Sequence, residues 1–255
     1  MNIVFYKIEC LTNLHVGSGE INYNIIDKEV EKDAVTGLPV IHASGIKGAL
    51  RDSYPDKAQV AKIFGEAGDG EEGRGGTHKF LDAFLLSRPM RVSSSSKLSA
   101  IPVVTVESVN RFLNMLTTFG KNPYGVTAIS APDFSEDVKF LYCHSEKISV
   151  EGDKSAELKD QTTINVLKAI LGESFAVAAG FDEYPLPVVA RNCLQKGKEN
   201  LWYEEVVPHD SVMYFAIIGD TELSLPEIVQ FGGNASIGCG YCKVSKIENG
   251  KGAPA

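Results

Sequence analysis

The stretch Ala43-Ser44-Gly45-Ile46-Lys47-Gly48-Ala49-Leu50-Arg51 (residues 43–51) decides how the first third of the chain is read. Its apolar positions Ile46, Ala49 and Leu50 fall at helical spacing. Ser44 has the side chain of an N-cap, so a helix is expected over Gly45–Ser53. Lys47 and Arg51 stand four residues apart and share one face of it. Upstream, residues 3–16 alternate well enough for one long first strand. Gly17, Gly19 and the turn Thr36-Gly37-Leu38-Pro39 then punctuate an irregular stretch. Downstream, Pro55 ends the helix or opens a second one, which stops at Phe64–Gly65.

Further along, residues 65–79 are rich in glycine and charge (Glu66, Asp69, Glu71, Glu72) and carry no periodicity. They are expected to form a solvated, mobile loop, and they lack the spacing of a phosphate-binding P-loop. A strand is expected over Lys79–Leu86, then a polar loop over Arg88–Ser99. Thr105–Thr118 is amphipathic and Gly120 stops it. A strand lies within 138–150 and a helix over 157–171. Residues 187–203 read as a long hairpin turning at Lys196-Gly197-Lys198. Strands follow at 211–219 and 241–247, with a glycine-rich loop at 231–240 between them. Strands and helices mix without regular alternation, which points to an α+β fold on an antiparallel sheet.

The chain has 255 residues, 44% hydrophobic and 23% charged. That is ordinary for a folded protein and enough for one large domain, expected to span 1–255. No apolar run approaches the roughly 20 residues of a membrane-crossing helix. The first ten residues lack the basic and apolar regions of a secretory signal, so a cytoplasmic protein without a membrane partner is expected. The five cysteines are odd in number and scattered, which argues against a disulfide framework. Cys239-Gly-Tyr-Cys242 has no second pair to complete a zinc site. The net charge of −8 speaks against a uniformly basic nucleic-acid binder. Local basic groups nonetheless occur at Lys47 and Arg51, at Arg88, Arg91 and Lys97, and at Arg191, Lys196 and Lys198, and phosphates respond to local potential.

Three segments in fixed order carry a family resemblance. The first runs from Leu14-His15-Val16-Gly17-Ser18-Gly19 through Ile25-Ile26-Asp27 and Thr36–Ile41 to the helix of Ala43–Arg51. The second is Leu81-Asp82-Ala83-Phe84-Leu85-Leu86-Ser87-Arg88-Pro89-Met90-Arg91-Val92, followed by Ile101–Thr105. The third is Phe231-Gly232-Gly233-Asn234-Ala235-Ser236-Ile237-Gly238-Cys239-Gly240. Together they resemble the RAMP superfamily, and the second segment resembles the backbone subunit of type III-B (Cmr-type) CRISPR effector complexes. The stretch Ala43-Ser44-Gly45, Val92 and Ser236 depart from the family's usual residues at their positions.

The resemblance implies a ferredoxin-like (modified RRM) palm with a protruding β-hairpin thumb near 187–203. It implies copies of the chain stacked head to tail along a guide (CRISPR) RNA, other effector-complex subunits as partners, and cleavage of a paired target RNA at regular spacing. Asp27 matches the aspartate with which this family cuts target RNA. It would either help hold a divalent metal, Mg²⁺, or orient the attacking 2′-hydroxyl. His15 would act as a general acid or polarise a phosphate; the bland reading is a strand-end histidine held by local hydrogen bonds. Glu204 matches a glutamate near the cut site; the bland reading is a strand residue at the thumb base. Ser44, Lys47, Arg51, Arg88, Arg91 and Arg191 would contact RNA. The N–H groups of Gly232, Gly233, Gly238 and Gly240 would do the same, or else these glycines make a tight turn. The rival readings are a guide-RNA-binding scaffold that does not cut, and a guide-processing RAMP endonuclease using His15 as a base. No Ser–His–Asp order or dinucleotide fingerprint supports an unrelated enzyme.

Overall fold

A computed structural model describes residues 2–17, 19, 25–66, 73–93, 98–135, 137–193 and 200–247. In chain order the strands begin with β1 (Asn2–Cys10), β2 (Val40–Ile41), β3 (Gly65–Glu66), β4 (Arg74–Gly75), β5 (Lys79–Phe80) and β6 (Ala83–Arg91). Next come β7 (Ala100–Thr105), β8 (Phe140–Cys143), β9 (Ser155–Glu157) and β10 (Phe175–Ala178). The last are β11 (Val188–Cys193), β12 (Asn200–Glu205), β13 (Val212–Gly219), β14 (Ile228–Gln230) and β15 (Tyr241–Lys246). The helices are α1 (Ala43–Ser53), α2 (Val60–Phe64), α3 (Val106–Thr118) and α4 (Gln161–Leu171). The chain divides into two compact units. Among the described residues, one lies within 2–85 and 186–247 and the other within 86–185.

The first unit is built on β1. This strand pairs antiparallel with β13 on one side, Asn2 opposite Gly219 through Glu9 opposite Val212, and with β15 on the other, Tyr6 opposite Lys246 through Cys10 opposite Cys242. The order is β14-β15-β1-β13-β6, with β2 against β6 and β5 against β13. Met213 to Ile217 of β13 are all buried, as befits a strand with apolar cover on both faces. Ile46 and Leu50 of α1 are fully buried, which is why that segment's apolar residues recur at helical spacing. The expected cap is corrected: α1 starts one residue before Ser44, and His42 takes the cap position. The Asp82 carboxylate accepts the Ala43 N–H at 2.6 Å, so a distant side chain supplies what Ser44 was expected to supply. Ser44 is exposed in the first turn.

The first strand stops at Cys10, short of the expected residue 16, and Leu14 rejoins the fold through a bridge to Val207. Within the expected loop 65–79, β3 pairs with β4, and residues 67–72 lie outside the described residues. The expected hairpin is present as β11 against β12, from Val188 opposite Glu205 to Cys193 opposite Asn200. Its turn, with Lys196 and Lys198, lies outside the described residues.

The second unit orders its strands β6-β7-β10-β8-β9, using the end of β6. Here the expectation of an antiparallel sheet is corrected to a mixed one. β7 and β10 are parallel, as are β8 and β9, while β6/β7 and β10/β8 are antiparallel. The chain between β7 and β10 holds α3, β8, β9 and α4, long enough for the crossover that a parallel pair needs. Met90, Ile101, Val103, Phe140, Tyr142, Ile148, Val150, Ala176 and Ala178 form its core. The expected polar loop at 88–99 is corrected too, because Arg88–Arg91 complete β6 opposite Val103–Ala100. No helix among the described residues is long and apolar enough to cross a membrane.

Two caps fix the helices of this unit. Thr105 and Ser108 form a reciprocal capping box on α3, and the buried Ser108 hydroxyl also reaches the Leu86 carbonyl at 2.9 Å. Asp160 caps α4 by accepting the Thr163 N–H at 2.8 Å. Thr105→Ala is expected to lower unfolding free energy by about 1 kcal/mol. Ser108→Ala, which leaves buried backbone groups without a partner, should cost about 2 kcal/mol. Urea unfolding followed by circular dichroism measures both.

Candidate active site

The candidate site lies wholly in the first unit, where four stretches of backbone meet: the Leu14–Gly17 segment, the Asp27–Lys32 segment, the β11/β12 hairpin and the loop of residues 231–240. Asp27 sits beside β12. Its backbone N–H and that of Lys28 both donate to the Tyr203 carbonyl at 3.1 Å, and its Oδ2 accepts the Tyr203 N–H at 2.8 Å. The Glu205 N–H returns a bond to the Lys28 carbonyl at 2.9 Å. On its far side the segment joins Val16, whose carbonyl accepts the Glu31 N–H at 2.7 Å. Asp27 is therefore half-buried and held in a bend beside β12, next to the isolated bridge between Lys28 and Glu204.

Glu204 is the centre of the arrangement. Its side chain is 1% exposed. Oε1 accepts from Lys28 Nζ at 2.8 Å and from Trp202 Nε1 at 2.8 Å. Oε2 accepts from Asn234 Nδ2 at 2.8 Å and from Arg191 Nε at 3.3 Å. Burial alone would raise its pKa. The hydrogen bonds from Lys28 and Trp202, with the charge of Lys28, outweigh burial and hold the carboxyl down at about 2. Its neighbour Glu205 ties the same segment from the other face, accepting the Val30 N–H at 3.1 Å and Lys32 Nζ at 3.0 Å.

His15 is 6% exposed. Its Nδ1 lies 2.7 Å from the Glu205 carbonyl, which can only accept, so Nδ1 carries the proton in that bond. Nε2 faces Gly17, where a Cβ would approach to 3.0 Å. The structure thus gives His15 the local hydrogen bonds of the bland reading and places it in contact with the strand that holds Asp27.

The glycine loop is a packing device. A Cβ on Gly232 would lie 2.2 Å from the His15 carbonyl oxygen, and one on Gly240 would lie 1.9 Å from the Phe231 carbonyl oxygen. Both have positive φ, so glycine is required twice over. The expectation that these N–H groups face phosphate is corrected for three of them. Gly233 donates to His15 O, Gly238 to Ala235 O and Gly240 to Asn13 O. Arg191 is likewise engaged within the protein, by Glu204 and by Cys239 Sγ at 3.4 Å.

Other expected residues lie elsewhere. Ser44, Gly48 and Arg51 line one exposed stripe of α1, with half-buried Lys47 beside it. Arg88 and Arg91 belong to the second unit. Arg88 is buried; its guanidinium donates to the Tyr184 carbonyl and lies over the Phe181 ring, 4.3 Å from its centre. Arg91 is exposed and pairs with Glu151 at 3.2 Å. Sequence reasoning passed over Lys28, Trp202 and Asn234. The one available signal was position: each adjoins a motif residue or lies inside the glycine loop.

Among the described residues no group of three or more His, Cys, Asp or Glu side chains is placed to hold a metal ion. Glu204 is unsuited to that task, since both its oxygens face N–H donors. Asp27 is the one expected ligand in the site. That fits Mg²⁺, which takes one or two carboxylates and keeps several waters.

Comparison with known proteins places this architecture. Residues 7–243 match the RAMP superfamily, and the chain belongs to that family. It is 25% identical to the CRISPR system Cmr endoribonuclease Cmr4 of Pyrococcus furiosus, over 93% of each chain. Its mixed α/β fold with a large sheet is shared with a chain of the type III-B Cmr-beta complex bound to cognate target RNA (TM-score 0.73, 23% identity, 96% of this chain and 97% of that one). It is shared also with oligomeric Cmr4 from Pyrococcus furiosus (TM-score 0.70, 21% identity, 98% and 100%).

The charge balance at Glu204 gives a stability test. Its carboxyl is held near 2 when folded and titrates near 4.5 when unfolded. Its contribution is therefore present above about pH 4.5 and is lost as pH falls toward 2, a change of about 2 to 3 kcal/mol. Glu204→Gln should flatten that part of the acid-unfolding curve, while Glu204→Ala should lower stability at pH 7 by about 3 kcal/mol. Chemical denaturation across pH reads out both.

Proposed function

We propose that this chain is the backbone subunit of a type III-B effector complex and its target-RNA endoribonuclease. In this reading copies stack head to tail along a guide RNA, the β11/β12 hairpin serves as the thumb of a ferredoxin-like palm, and other effector subunits complete the particle. The support is similarity, over nearly the full length, to a protein named as the Cmr endoribonuclease and to a subunit of a complex bound to target RNA. The observation that carries the catalytic part is the position of Asp27. It stands at the foot of the hairpin, locked to Tyr203 by two hydrogen bonds of its own and a third from the N–H of Lys28.

RNA carries its own nucleophile. A 2′-hydroxyl attacks the adjacent phosphorus once the chain is bent so that the attacking and leaving oxygens lie in line, and positioning supplies most of the gain. In this reading Asp27 meets that hydroxyl, either directly or through a bound cation. A Mg²⁺ there would neutralise charge developing on the phosphate. The exposed stripe of Ser44, Gly48 and Arg51 on α1, with half-buried Lys47 beside it, suits a phosphate backbone, giving affinity without reading sequence. Glu204 and His15 act in this account by holding Asp27's surroundings.

The rival scaffold reading draws on one observation: the Asp27 carboxylate already has a structural task, at the Tyr203 N–H. Asp27→Asn separates the two, because an amide oxygen still accepts that N–H but carries no charge. In a reconstituted complex with Mg²⁺, Asp27→Asn and Asp27→Ala are expected to slow target cleavage at least about 100-fold, with guide and target affinities within about twofold of wild type. Cleavage of target RNA is followed on gels, with and without EDTA. Wild-type cutting by Asp27→Asn would leave the chain a guide-holding scaffold.

A further inference from the structure

We infer that Asn234 is a positioning residue for RNA cleavage, acting through Glu204 on the backbone that carries Asp27; the inference rests on the proposed role of Asp27. Asn234 lies in the middle of the glycine loop, far in sequence from both. Its backbone is left-handed, at φ 63°, a conformation that Asn tolerates better than most residues. Its carbonyl accepts the N–H groups of Ile237 and Cys239, at 3.1 and 3.2 Å, which anchor the loop beneath it. Its side chain then donates Nδ2 to Glu204 Oε2 at 2.8 Å.

The chain of contact from there is short. Glu204 follows Tyr203, whose N–H and C=O hold Asp27. The other oxygen of Glu204 holds Lys28, the residue after Asp27. A shift of the Glu204 carboxylate is therefore felt at two points next to the aspartate, the Lys28 side chain and the Tyr203 backbone. Arg191 and Asn234 fix Oε2 from opposite origins, one from the hairpin and one from the glycine loop. Without Asn234 the carboxylate is held from the hairpin and the Asp27 segment alone, and these are the elements it must align. The same loop also fixes His15, whose carbonyl accepts the Gly233 N–H at 2.9 Å. The glycine loop thereby serves as the reference surface for the cutting residue.

The test is single-turnover target cleavage by the reconstituted complex, at a temperature well below the melting point of each variant. Asn234→Gly keeps the left-handed backbone and removes the amide; it should slow cleavage about tenfold while target affinity stays within about twofold. Asn234→Asp places a second carboxylate against Glu204 and should be slower still. In the double variant Glu204→Gln with Asn234→Asp, the new amide donates to the new carboxylate. It should cut at least about fivefold faster than the product of the two single effects, the mark of a direct pair. A role in stability alone would move melting temperature without this rescue. The inference is overturned if Asn234→Gly cuts at the wild-type rate, or if the double variant falls to the product of the singles. Asp27→Asn runs alongside. If it cuts normally, the reading of Asp27 fails; if it is dead while Asn234→Gly is normal, only the role of Asn234 fails.

Discussion

The carboxylate of Glu204 is the constraint on which the candidate site depends. A buried, ionised carboxylate is costly unless every acceptor direction is met. Here Lys28, Trp202, Arg191 and Asn234 meet it, and they come from three separate stretches of chain. Desolvation opposes ionisation and the surrounding donors prevail. The result is an arrangement with little freedom: removing one donor leaves charge unbalanced, and adding a residue would break the contact geometry. Asp27, held by the neighbouring Tyr203 backbone, inherits that rigidity.

The rest of the first unit exists to bring those stretches together. β1 lies between β13 and β15, so the Leu14–Gly17 segment leaves the sheet beside the loop that precedes β15. Gly232 lets that loop touch the His15 carbonyl, and Gly240 lets it fold back over Phe231. The glycines that mark the family thus work on the protein's own backbone. Catalytic sites gain from such preorganisation, because a group already in place needs no further ordering during the reaction.

Much of the scaffold was legible in the sequence. The helix α3 announced itself through Val109, Phe112, Leu113 and Leu116 and through Gly120 as its stop, and the hairpin through its basic turn between extended stretches. Local signals of that kind survive folding. What failed was tertiary in origin. Arg88 reads as a loop residue beside Pro89, yet β7 pairs with that stretch and buries the guanidinium. The parallel pairing of β7 with β10 joins strands far apart in sequence, which no local period can report. Ser44 was displaced as a cap by Asp82, a residue from another segment. In the site, Asp27 was legible through the family resemblance. Asn234 was not, because its role arises from a left-handed backbone and a partner 30 residues away.

The claim at the centre of this account is that Glu204 holds the segment carrying Asp27. Hydrogen–deuterium exchange on the Glu204→Gln variant tests it most directly. The account predicts faster exchange at the amides of Asp27, Lys28, Val30 and Tyr203–Glu205, with β1 and β13 as protected as in wild type. Unchanged exchange across residues 27–30 and 203–205 would contradict it, since the segment would then be held without the carboxylate.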